Sequence, residues 1–186
     1  MIKDYFDVFA AISFAVRYLK DREERVMRPL IMDALALAGQ ADDEDEFVVS
    51  ILFYTLSHSR AAADRIEKLP LDDEVRRAVR VLEFNTDGHI PDPFRHRIER
   101  IRDLTQSQDA NVRMSGFWAL SVYCRYLLLT ERLITQDINY YYGKEPTPEI
   151  ESKLANLRGS LSSVKSVKRM AQHIFGDDFR RHTSKS

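Results

Sequence analysis

Apolar residues recur along most of this chain at intervals of three and four, the spacing of helices that bury one face. Across residues 5–20, Phe6, Phe9, Ala10, Phe14, Val16 and Leu19 share such a face and predict a first helix. Pro29 suits an early helical position and leads into Leu30, Ile31, Ala34, Leu35 and Leu37, after which Gly39 supplies a stop. The acid run 42–46 precedes an apolar stretch, 47–56, and so lies at the positive end of a helix dipole. It reads as capping, because neighbouring carboxylates in a first turn point in different directions and do not converge on a metal.

Further helices are predicted near residues 59–68, then from a cap at Asp72 or Asp73 through Val75, Ala78, Val79 and Leu82. Asn85, Gly88, Pro91 and Pro93 mark the longest loop. Residues 94–104 follow as a charged helix, and residues 111–138 as a long buried helix carrying Trp118, Tyr123, Cys124 and Tyr126. Pro146, Thr147 and Pro148 open a last helix ending near Phe175, and residues 177–186 read as a basic, frayed tail. Strand-like alternation and internal repeats are absent. The expected fold is therefore all-α, a single-domain helical bundle spanning residues 1–176.

A length of 186 residues fits that single core. With 28 basic against 29 acidic side chains, there is no global pull toward nucleic acid or an anionic membrane, so either would need a local patch. No window approaches the roughly 20 apolar residues of a membrane span, and the first residues lack the positive flank of a secretory signal. A lone Cys124 can form no internal disulfide, which makes the reducing cytoplasm the expected location.

Three segments, in order, carry a resemblance. The first runs Arg28-Pro29-Leu30-Ile31-Met32-Asp33-Ala34, the second Ser50-Ile51-Leu52-Phe53-Tyr54-Thr55-Leu56-Ser57-His58, and the third Asn111-Val112-Arg113-Met114-Ser115-Gly116-Phe117. They resemble the HD-domain metal phosphohydrolases, in particular the small hydrolase domain of the alarmone (guanosine polyphosphate) hydrolase family. The resemblance implies an HD-like fold in which a histidine preceding Pro-Leu, a His-Asp pair, a Glu-Asp pair one turn later and a late aspartate surround one metal. In this chain Arg28 stands at the first position, Phe53 and Tyr54 at the second, Ser57 and His58 at the third, and Gly116 at the last.

Such a metal activates a water for attack on phosphorus through imidazole and carboxylate ligands, which Arg, Phe, Tyr and Gly cannot replace. The resemblance therefore implies a degenerate pocket lined by Arg28, Phe53, Tyr54, Ser57, His58, Arg113 and Gly116, with no catalytic residue, no metal ligand and no cofactor. The expected function is that of an inactive HD-like domain that binds a partner protein or a nucleotide or phosphate ligand. Two alternatives stand beside it. One is a metal-dependent nucleotide phosphohydrolase with an unconventional site built on Asp33, His58 and Asp64. The other is an unrelated helical protein-interaction module.

Other candidates carry less. His58 with Asp64 and Ser57 or Ser59 offers a nucleophile, base and orienter only if geometry brings them together. His89 and His96 have no cysteine near them to suggest zinc. Arg158, Lys165 and Arg169 recur at near-helical spacing and read as a solvated face in preference to a nucleic-acid stripe. Tyr140, Tyr141 and Tyr142 would anchor an interface if exposed and pack if buried. The oligomeric state stays open, a homo-oligomer included.

Overall fold

A computed structural model describes residues 6–20, 23–25, 28–83 and 93–183. The fold is all-α. Helix α1 (Val8–Leu19) is capped by Asp7, whose carboxylate accepts the Ala10 amide at 2.9 Å. A two-stranded antiparallel ribbon follows, β1 (Glu23–Arg25) with β2 (Arg28–Pro29), pairing Glu23 with Pro29 and Arg25 with Arg28 across an irregularity. Segments of two and three residues are too short to show the alternation of a strand, so nothing in the apolar pattern predicts the ribbon. Pro29 ends it and stands at the N-cap of α2 (Leu30–Ala38), one position before the first helical turn.

Helix α3 (Glu44–His58) is the centre of the first part of the chain. Nearly every position from Glu46 to Thr55 is buried, because the helix packs on α1, α2, α4 (Arg60–Ile66) and α5 (Asp73–Leu82). The acid run that opens it caps as expected. Asp43 accepts the Glu46 amide at 2.7 Å, and the Glu46 carboxylate accepts the Asp42 amide at 3.2 Å. Glu46 has a second role that the sequence does not signal: it is buried, and Ser121 donates a hydrogen bond to it at 2.5 Å.

The loop predicted around Asn85 to Pro91 lies outside the described residues. Helix α6 (Pro93–Thr105) leads through a short turn into α7 (Ala110–Tyr142), a helix of 33 residues. Asp109 holds that start by accepting the Asn111 and Val112 amides, which keeps its carboxyl below its ordinary range. The chain clusters into two compact units, residues 1–123 and 124–186, and the boundary falls within α7. In the first, Leu19, Leu30, Leu37, Ile51, Leu52 and Leu82 are fully buried, each contributing about 1.5–3 kcal/mol.

The second unit pairs the end of α7 with α8 (Pro148–Phe175), where Ile134, Ile138 and Leu154 form a cluster extended by Tyr141, Ile150 and Leu157. Thr147 caps α8 by accepting the Ile150 amide at 3.3 Å. Glu131 pairs with Lys168 to tie the two helices together. The predicted frayed tail is corrected from residue 177 to residue 183, where α9 (Asp177–Thr183) forms: Phe179 is buried, and Asp177 and Asp178 occupy the first turn. Among the described residues, no helix is long and apolar enough to cross a membrane.

Candidate functional site

Four of the seven candidate residues lie on α3. Phe53 and Tyr54 are fully buried, one turn before Ser57 and His58, which are half-buried at the end of the helix. Their polar atoms turn back on their own backbone. The Ser57 hydroxyl donates to the Phe53 carbonyl at 2.9 Å, and the His58 ring nitrogen Nδ1 meets the Tyr54 carbonyl at 2.8 Å. A carbonyl only accepts, so Nδ1 carries the proton in that contact. The imidazole also stacks on the Tyr54 ring, with centroids 4.2 Å apart and planes within 17°.

Tyr54 connects this end of α3 to α2 and the ribbon. Its hydroxyl donates to Asp33 Oδ2 at 3.4 Å, and the other carboxylate oxygen of Asp33 lies 2.7 Å from Arg28 Nε. Asp33 is fully buried, whereas Arg28 is about one-third exposed. Arg28, Asp33, Tyr54 and His58 thus form a continuous polar chain in which an arginine supplies the positive charge facing a buried carboxylate. From the sequence Asp33 is only a substitute ligand; the structure gives it to Arg28.

Arg113 and Gly116 make their contacts at the turn between α6 and α7. Arg113 Nη1 donates to the Ser107 carbonyl at 2.8 Å and reaches the Gln108 carbonyl at 3.5 Å, so its guanidinium closes that turn. Gly116 is buried where the two helices touch: a Cβ built there would lie 2.5 Å from the Thr105 nitrogen and 2.7 Å from the Leu104 carbonyl carbon. Only a residue without a side chain allows that approach.

Ser57 and His58 border a cavity of about 660 Å³ whose wall also includes Arg60, Asp64, Glu67 and Glu83. Three carboxylates there face one guanidinium. Burial, followed by repulsion from Glu67, raises the Glu83 carboxyl above its ordinary range, while the hydrogen bond from Arg80 lowers that of Glu67. Neither Arg28 nor Arg113 lines this cavity, so the two arginines expected beside His58 do not make it cationic. The Ser57 hydroxyl and His58 Nδ1 are each engaged by a backbone carbonyl, and neither of these bonds joins the two as a nucleophile and base. Among the described residues, no group of three His, Cys, Asp or Glu side chains is placed to hold a metal ion.

A second cavity, about 430 Å³, runs between α5 and α6 and is lined by Arg76, Arg77, Arg80 and Arg100 with Asp73 and Asp103. The apolar and charge patterns of the sequence do not reveal it. A partial signal lies in Arg76, Arg77 and Arg80 on one helix, but Arg100 joins them only through the packing of α6.

No protein-family model, curated protein or solved structure matches the chain. Its functional reading rests on the chemistry of its own residues.

The remaining candidates separate. His89 falls outside the described residues, and His96 is exposed on α6. Cys124 is buried, which pushes its thiol far up and leaves no reactive thiolate at neutral pH. In the second unit Tyr140 and Tyr142 are exposed, with Lys144 above the Tyr140 ring and Arg158 above that of Tyr142, to whose hydroxyl it also donates. Tyr141 packs on the Ile134 cluster. Arg158, Lys165 and Arg169 lie along α8.

Proposed function

We propose that this chain is a catalytically inactive HD-like helical domain that acts by binding a partner protein or a phosphorylated ligand. The observation that supports the reading is the ion pair of Arg28 with the buried Asp33, backed by the Tyr54 hydroxyl. In the HD-domain resemblance the residue before Pro-Leu is a metal-ligating histidine, and a divalent cation held there would answer the charge of a buried carboxylate beside it. Here the balancing charge is a guanidinium of the chain itself, permanently protonated and covalently fixed. A metal at Asp33 would have to displace Arg28 and would meet Tyr54 on the other oxygen.

The alternative of an unconventional hydrolase needs Asp33, His58 and Asp64 to act together. His58 and Asp64 share a cavity wall, but Asp33 is engaged by Arg28. The test is a phosphate-release assay of the full chain against guanosine polyphosphates and common nucleotides with manganese added. Background release supports the inactive reading. Turnover that scales with protein and is abolished by His58→Ala or Asp64→Asn overturns it.

A further inference from the structure

We propose that the groove between α5 and α6 is an anion site that holds the phosphoryl or pyrophosphoryl group of a small phosphorylated molecule. The site lies apart from the Arg28–His58 chain and does not depend on the HD-like reading. Four guanidinium groups line it against two carboxylates, and among the described residues no ion pair joins Asp73 or Asp103 to any of the four. Asp103 pairs instead with Arg102, at 3.4 Å.

Each arginine is committed differently. Arg80 is held by Glu67, with Nη2 at 2.6 Å and Nε at 3.3 Å from its two oxygens, so its charge is largely answered. Arg76 donates to the Leu69 carbonyl at 2.8 Å and the Ile66 carbonyl at 3.4 Å; both partners are neutral, and Glu67 is 4.0 Å away. Arg77 donates one hydrogen bond to the Ser115 hydroxyl at 3.1 Å. Arg100 is exposed at the opposite wall on α6.

Arg76 and Arg77 are therefore positioned mainly by neutral groups that fix their planes, while Glu67 answers part of the charge of Arg76 and Asp109 part of that of Arg77. A guanidinium has five donors, and these bonds use only a minority of them, so the pair keeps donors for the groove, and Arg100, whose charge acts on Glu83 without a hydrogen bond, adds its own. Planar forks anchored in this way match the oxygens of a phosphoryl group, which can accept several bonds at once. Val81 and Leu104 add an apolar patch between the arginines, and a volume of about 430 Å³ admits a small organic phosphate. The cavity beside His58 sets Asp64, Glu67 and Glu83 against Arg60 alone, so a phosphorylated ligand is directed to the arginine groove.

Calorimetric titration of the full chain with inorganic pyrophosphate, at low and at physiological ionic strength, tests the site. Saturable one-to-one binding is expected, weakened by salt and reduced at least about tenfold by Arg100→Gln or Arg77→Gln. Among the described residues Arg100 has no hydrogen-bonded partner to lose, so its variant remains informative if Arg77→Gln perturbs folding through Ser115. Arg158→Gln, on the second unit, is expected to leave binding unchanged. An adenosine diphosphate arm separates sources: tighter binding than pyrophosphate assigns the apolar patch to the organic moiety, and equal binding assigns the site to the phosphoryl anion alone. No saturable heat, or binding indifferent to both groove variants, overturns the proposal. That failure would leave the metal and turnover measurements untouched, just as turnover would leave the groove's affinity to be read by itself.

Discussion

Arg28 Nε lies 2.7 Å from Oδ1 of Asp33, a carboxylate with no exposed surface. Removing the arginine takes a full positive charge from beside that buried group, to which the Tyr54 hydroxyl donates at 3.4 Å. Arg28→Met is expected to destabilise the protein by about 1–3 kcal/mol in urea unfolding, and Asp33→Asn in the same background to recover part of the loss. A double-mutant cycle over the two positions checks it: additive effects would mean that the pair contributes no coupling.

Two glycines should respond to alanine with opposite signs. At Gly116 the new Cβ meets the backbone of Leu104 and Thr105, which cannot give way as a flexible side chain would, so Gly116→Ala is expected to cost about 1–3 kcal/mol or more. Gly159 sits inside α8 with nothing within 4 Å of its Cβ position, and Gly159→Ala is expected to stabilise by about 0.5–1 kcal/mol. Thermal or urea unfolding of the two variants reads both, and a Gly116→Ala protein as stable as the parent would refute the close approach of α6 and α7.

Glu83 supplies a pH signature. Its carboxyl is raised by burial and then by Glu67, so the folded state holds its proton more tightly than the unfolded chain does. The contribution is fully present below the ordinary glutamate range and is lost as pH rises through the raised value. Glu83→Gln cannot ionise and so removes that loss on raising the pH. The variant and parent are expected to be alike in acid and to diverge as pH rises from the ordinary glutamate value toward neutrality, with the variant the more stable. Urea midpoints across that range measure it, and a difference that does not change with pH would contradict burial and Glu67 as its origin.

The helices are legible in the sequence because periodic apolar positions, the Asp43 cap and the stop at Gly39 all act within a few residues of themselves. The ribbon before α2 is not, since two or three residues cannot display a period. Helix α9 is hidden for a related reason: Phe179 is one apolar residue in a charged stretch, and only its burial fixes the turn around it. At the site, the i, i+1, i+4, i+5 placement of Phe53, Tyr54, Ser57 and His58 on one helix follows from spacing. The pairing of Arg28 with Asp33 does not, because it crosses from an extended segment into a helix. Arg113 reads in sequence as a ligand-facing charge and serves as a turn clamp, a role set by which carbonyls the turn after α6 leaves open.

The arginine groove is illegible for another reason. Arg77 and Arg100 lie on different helices, far apart in sequence, and charge counting along the chain finds the compensating Asp73 and Asp103 as readily as the arginines. Only the bonding of each side chain distinguishes answered from unanswered charge.

Equilibrium dialysis of the full chain against manganese, with bound metal counted per chain, tests the central claim most directly, namely that Arg28 occupies the electrostatic place of a metal at Asp33. The expected result is no saturable metal at neutral pH. One manganese per chain, lost on Asp33→Asn, would contradict it.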